Sequence, residues 1–213
     1  SAELTANAGI FSNYMFRGVS QTNEGAAAQG GIDWGHDSGL YVGTWTSNVA
    51  FPDDEANTLN GALGTGTELD FYAGFAGEAG AIGYDVGIIA YQYLHAPEIN
   101  FTEVYGSGTM SIATVGFAYT VDSASGNEGG IASGDLYLSG SIDLTLGKSD
   151  VSLYAGTYMF DNDGVDDADL NYNHFGASIG KDGFALAVDK TDIDDARADN
   201  LRVTVSYAVD FEL

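Results

Sequence analysis

The sequence predicts an all-β protein: a single twelve-stranded antiparallel up-and-down β-barrel that crosses a membrane, with its N- and C-termini together on the periplasmic side. Three observations carry that prediction. The last stretch, Leu201, Val203, Val205, Tyr207, Val209, Phe211 and Leu213, alternates strictly with Arg202, Thr204, Ser206, Ala208, Asp210 and Glu212. A period of two puts the seven apolar side chains on one face of a strand and every charge on the other. Short glycine-containing links alternate with longer polar ones, as on the two rims of an outer-membrane barrel. Finally, 30 glycines, 13 tyrosines and 11 phenylalanines against 2 prolines in 213 residues suit many strands joined by tight turns.

Reading for alternation places strands at residues 3–16, 26–36, 40–49, 67–77, 81–93, 99–106, 110–121, 134–146, 150–160, 171–180, 183–190 and 200–213. The tight links are residues 36–39, 77–80, 106–108, 147–149 and 180–183; the long ones are 17–25, 50–66, 94–98, 122–133, 161–170 and 191–199. Twelve is even, as a chain with both ends on one rim requires. No linker rich in proline or serine divides the chain, so residues 1–213 are read as one domain.

The faces give an independent check. Strand one offers Leu4, Ala6, Ala8, Ile10, Tyr14 and Phe16 in one phase, strand five Ile82, Tyr84, Val86 and Ile88, strand eight Leu136, Leu138, Ile142, Leu144 and Leu146, all without a charge. The opposite phases hold Glu3, Asn7, Asn13, Asp85, Asp135, Ser139, Ser141 and Asp143, which an apolar core would accept only if each were paired. Polar inside and apolar outside is the reverse of a water-soluble barrel. Strands three and six do not declare a face: Tyr41, Gly43 and Trp45 compete with Leu40 and Val42, and Glu103 shares its phase with Phe101 and Tyr105. Tyr14, Phe16, Trp34, Trp45, Phe71, Phe75, Phe184 and Phe211 near strand ends fit interfacial aromatic girdles.

No run approaches the roughly 18 apolar residues of a spanning helix, so entry into a bilayer must be as a closed barrel. Ser1-Ala2-Glu3 lacks the basic and apolar segments of a secretory signal, and the expectation is an outer-membrane location with the signal already removed. Cysteine is absent, which excludes disulfides and thiolate sites. A formal charge of −25, from 31 acids and 6 bases, disfavours nucleic acid as a partner and favours cations. A solvated acidic surface explains the same charge.

The segment Ser12-Asn13-Tyr14-Met15-Phe16-Arg17-Gly18-Val19-Ser20-Gln21-Thr22 resembles the start of the TorF family, small Gram-negative outer-membrane proteins classed as porins and long catalogued as conserved hypothetical. The likeness continues through Gln29-Gly30-Gly31-Ile32-Asp33, residues 39–49, Glu68-Leu69-Asp70-Phe71-Tyr72-Ala73-Gly74 and Glu103-Val104-Tyr105-Gly106, and loosens in the second half. The resemblance implies a porin-like barrel whose partners are the bilayer with its lipopolysaccharide and small solutes or cations. It carries over no particular solute.

The polar phase nominates pore-lining residues: Asp70, Asp85 and Asp189, joined by Glu68, Asp143, Tyr72, Tyr154 and Tyr158. Carboxylates around a pore lower the barrier for cations and raise it for anions, so the expected activity is passive diffusion through a narrow, cation-preferring channel. The competing reading is that these groups hydrogen-bond across a lumen too small to conduct, in a structural or adhesive barrel whose loops meet a partner. A soluble secreted β-protein is the third. Arg17 and Arg202, near the loop ends of strands one and twelve, are expected to be counter-charges to acids such as Asp189 or Glu24, with reception of an anionic substrate group as the alternative. Asp161, Asp163, Asp166, Asp167 and Asp169 crowd hard oxygen ligands into one loop, but without the spacing or final Glu of an EF-hand. Weak calcium binding there stands beside the reading as a solvated loop; no other cofactor is expected. Catalysis is not expected: His36, His95 and His174 lack both metal-ligand spacing and a matched serine motif. The loop 50–66, with Pro52, Asp53, Asp54 and Glu55, is long enough to fold inward as a constriction.

Overall fold

The structure, a computed structural model, describes residues 1–51, 64–126, 131–195 and 198–213. Twelve of its strands close into one antiparallel barrel: β1 (Ala2–Phe11), β4 (Ala27–His36), β5 (Leu40–Ala50), β6 (Thr65–Ala79), β7 (Ile82–Tyr93), β8 (Phe101–Met110), β9 (Ala113–Ser123), β10 (Leu136–Leu146), β11 (Ser149–Met159), β12 (Tyr172–Lys181), β13 (Phe184–Thr191) and β14 (Arg202–Glu212). Each pairs with its sequence neighbours, and β1 against β14 closes the ring with Thr5 opposite Glu212 and Phe11 opposite Ser206. Two further short strands, β2 (Met15–Phe16) and β3 (Val19–Ser20), form a separate hairpin.

Alternation decides which face looks out. Ile10, Val115 and Phe184 are 64%, 68% and 63% exposed, and they stand in outward rows with Leu4, Val86, Phe117, Leu153 and Val203. In water each such side chain would forgo roughly 1.5–3 kcal/mol of burial. Around a barrel of this kind the row is the lipid-facing band instead. No helix among the described residues is long and apolar enough to cross a membrane.

Two expectations need correction, and one open register is decided. The first strand ends at Phe11 rather than Phe16, because Ser12 turns the chain into the lumen; Tyr14 and Phe16 therefore belong to the interior, and so does Trp45, whose ring meets Tyr14 edge-on at 5.5 Å. The glycines of 106–108 do not turn: β8 and β9 pair through Gly106 opposite Phe117, and the tight link is Ser111-Ile112, where Ser111 takes φ 56°. An added Cβ at Gly106 would come within 2.6 Å of the Phe117 ring, so that glycine leaves room for a neighbouring aromatic instead of marking a corner. On β8 the inward phase is Phe101, Glu103 and Tyr105, since Glu103 and Phe101 are 1% and 3% exposed. The loop 50–66 lies largely outside the described residues.

Candidate functional site

The buried apolar cluster of this protein sits inside the barrel. Val49, Tyr91, Tyr93, Ala96 and Phe101 form it, and Tyr14 and Phe16 pack against it. They arrive on the segment that connects β1 to β4, which folds inward as the β2–β3 hairpin. The hairpin turns through Arg17-Gly18, both with positive φ (50° and 79°), the geometry of a two-residue turn whose twist suits the paired strands. Gly18 is required twice over: its φ is left-handed, and a Cβ there would lie 2.5 Å from His174 Cβ.

Arg17, unusually placed in the left-handed region, is held by its surroundings. Its guanidinium donates to both carboxylate oxygens of Glu103 at 2.8 Å each, a bidentate ion pair with side chains 8% and 1% exposed. The same guanidinium lies 4.6, 4.3 and 4.8 Å from the ring centroids of Phe16, Tyr137 and Tyr158. The Tyr172 hydroxyl donates to the Arg17 carbonyl at 3.0 Å. Phe16 meets Tyr91 edge-on at 5.8 Å, and Tyr91 stacks on Phe101 at 4.3 Å. A charge so enclosed is tolerable only because it is paired and hydrogen-bonded to its counter-charge. Its acid is Glu103, neither Asp189 nor Glu24. Arg202 goes to Glu24, Nε to Oε1 at 2.6 Å, which leaves the two arginines on different partners.

Four further acids of the wall are met by tyrosines. Tyr41 donates to Asp85 at 2.6 Å, Tyr72 to Asp33 at 2.5 Å, Tyr154 to Asp189 at 2.9 Å and Tyr14 to Glu68 at 3.2 Å. Tyr41 and Tyr105 also join through their hydroxyls. Each ring needs room on the neighbouring strand, which small residues supply: a Cβ at Gly176 would fall 2.0 Å from Tyr154 Cε2, and one at Gly43 2.4 Å from Tyr72. Glu68 and Asp70 stand two residues apart on the same inward face of β6, 1% and 4% exposed. Tyr158 is buried beneath Arg17, whose guanidinium lies over its ring. Asp143 lies apart from this group, exposed near the tight-link rim, where it accepts a hydrogen bond from Ser141.

Two cavities flank the hairpin, and Arg17 borders both. One of about 550 Å³ is lined by Glu3, Asp33, Tyr41, Tyr72, Asp85 and Glu103 among others; the second, about 350 Å³, by Asn13, Tyr14, Tyr137, Tyr154, His174 and Asp189 among others. Of the residues nominated from sequence, Asp85 and Tyr72 thus share the first cavity, Asp189 and Tyr154 the second. Glu103, Asp33, Tyr41 and Tyr105 were missed. The available signal was the mixed acid and aromatic phase of β8, which is the composition of this lumen wall.

The acidic loop behaves differently. Asp163 Oδ1 accepts the backbone N–H groups of Leu170 and Asn171 at 2.7 and 3.0 Å, which hold its carboxyl below the usual carboxylate range. The Asp161 N–H donates to Asp135 at 2.8 Å, while Asp166 and Asp167 lie in a 3-10 turn with positive φ. Asp169 lies just beyond that turn, before Leu170. Among the described residues no three His, Cys, Asp or Glu groups converge as a metal site.

The fold has solved counterparts. The KdgM porin superposes with a TM-score of 0.60 at 7% identity, covering 98% of this chain and 99% of that one. A KdgM porin in complex with disordered oligogalacturonate gives 0.58 at 7% identity over 100% and 99%. A structure from work on in-meso crystallization of membrane proteins gives 0.56 at 7% identity over 98% and 84%. At such identity the likeness shows the fold. No curated protein matches the chain in sequence. The profile of the bacterial family of unknown function called Gcw_chp matches residues 1–211, and the chain belongs to that family.

Proposed function

We propose that this protein is an outer-membrane porin of the kind the TorF resemblance implies: a narrow, cation-preferring channel for passive diffusion of small solutes. One observation carries the reading. Along the described wall each arginine is bound by its own acid, whereas Asp33 and Asp85 have tyrosines and no base for company. Carboxylates left without bases keep the interior negative, which attracts cations and repels anions. For the same reason the oligogalacturonate of the KdgM complex, a polyanion, is a poor guide to the solute here. Twelve strands enclose less space than the sixteen of an open porin, and the hairpin occupies part of it, so conductance should be small.

Recording from the purified barrel in a planar bilayer under a salt gradient tests the proposal: a reversal potential on the cation side is expected, and anion preference would refute it. Complete absence of conductance would favour the second reading, a structural or adhesive barrel. That reading has its own support in the hairpin, whose Arg17–Glu103 pair is buried like a permanent fixture.

A further inference from the structure

The barrel wall has a defect where β1 leaves it. Pairing between β1 and β14 stops at Phe11 opposite Ser206, and the last contacts are made by Ser12: its N–H donates to the Val205 carbonyl and its Oγ accepts from the Val205 N–H, both at 2.9 Å. The chain returns to the wall only at Ala27, opposite Phe11. Beyond that point β14 keeps β13 on one side, with Asp189 opposite Arg202, but has no barrel strand among the described residues on the other.

On the outer face of this seam lies a groove of about 750 Å³, larger than either luminal cavity above. Ala26, Ala27 and Ala28 are small enough to leave it open, while Ile10, Phe184 and Tyr207 wall it. Phe11 and Ser206 belong to the inward phase, yet they border this outer groove as well as the smaller luminal cavity. The groove therefore indents the wall rather than lying on it. On the outward face, exposed Asn48 accepts from the Ala28 N–H at 2.7 Å and donates to the Ala26 carbonyl at 3.0 Å, which satisfies those two backbone groups beside the groove. The Arg202–Glu24 ion pair at 2.6 Å, with Asn13 donating to Glu24 at 3.0 Å, ties the inward loop to β14 behind the seam.

We propose that this seam groove seats one acyl chain of a membrane lipid. Continuity with the lipid-facing band argues for that occupant: Ile10, Val205 and Phe184 are both groove wall and outward row. Elsewhere the sheet offers lipid a convex surface, whereas here it is indented by an open groove lined mainly by apolar groups, along which a chain can lie. The inference does not depend on whether the lumen conducts.

Because the chain has no cysteine, a single thiol can be placed at will. Bimane attached to Ala26→Cys, at the groove's end, is titrated in detergent micelles with brominated phosphatidylcholine; Val115→Cys on the convex wall serves as comparison. Saturable quenching is expected at position 26, reaching its plateau near one lipid per barrel, against quenching at 115 that only tracks the lipid content of the micelle. Adding Val205→Trp to fill the groove should remove the saturable component, with unboiled gel mobility verifying that the barrel is folded. Parallel, non-saturating curves at the two positions would overturn the proposal. So would disulfide cross-linking between two Ala26→Cys copies in place of saturable quenching, since the occupant would then be a second barrel.

Discussion

Removing the Arg17 guanidinium should unlock the lumen. In Arg17→Met, Glu103 is left 1% exposed without its counter-charge. Stranding one member of a buried pair costs about 3–5 kcal/mol. The molecule can relieve that cost in two ways: by loosening the barrel, or by releasing the hairpin so that water reaches Glu103. Release is cheaper, because β2 and β3 share only two residue pairs and take no part in the closed barrel, whereas each barrel strand is paired on both sides. At about 1.4 kcal/mol per tenfold, the equilibrium between seated and released hairpin should shift by about a hundred- to four-thousand-fold. Single-channel recording reads this as higher conductance or a higher open fraction, with the thermal midpoint of the barrel nearly unchanged. Arg17→Met combined with Glu103→Leu should return the channel toward its wild-type state, since no lone charge is then buried. If Arg17→Met conducts as the wild type does, or lowers the thermal midpoint with no change in current, the hairpin is not held by this pair and the reasoning fails.

Other perturbations address separate parts of the wall and loops. Asp33→Asn with Asp85→Asn should move the reversal potential in a salt gradient toward zero, because two of the acids without bases are lost; an unchanged potential would place the selectivity elsewhere. Gly176→Ala puts a methyl where Tyr154 lies at 2.0 Å, which should displace that ring from Asp189 and cost about 1–3 kcal/mol in thermal or denaturant unfolding. The Asp163 carboxylate is stabilised by the Asn171 and Leu170 amides, so its folded pKa lies below its unfolded one. Its support for the loop is accordingly present above the ordinary carboxylate pKa of about 3.9 and is lost as pH falls through the lower folded value. Protection of the Leu170 and Asn171 amides, their exchange measured against the intrinsic rate at the same pH, should fall over that window in the wild type. In Asp163→Ala it should be low throughout, and protection indifferent to pH in the wild type would contradict the bonding.

Twelve strands, their order and most of their faces were legible because a period of two is a local property: Ile82 to Ile88, or Leu201 to Leu213, declares its lipid face without knowledge of its neighbours. Where small residues and aromatics share both phases, as in β5 and β8, the pattern is silent, and only pairing with β6 and β7 turned Trp45 and Glu103 inward. The lumen acids Asp70, Asp85 and Asp189 followed from the same alternation. Their tyrosine partners did not, because Tyr41 and Asp85 are 44 residues apart and meet across the barrel wall.

The amino-acid sequence by itself determined an alternating, acidic, twelve-strand chain that must close to satisfy its backbone in a membrane. Tertiary structure decided what stands in the middle of it. Nothing in Tyr14-Met15-Phe16-Arg17-Gly18 states that the segment leaves the wall, and its aromatics continue the lipid phase of β1 by spacing alone. The path is set by a partner 86 residues away: a guanidinium cannot remain in the interior without Glu103 and the rings of Phe16, Tyr137 and Tyr158, and those groups converge only once the barrel has closed.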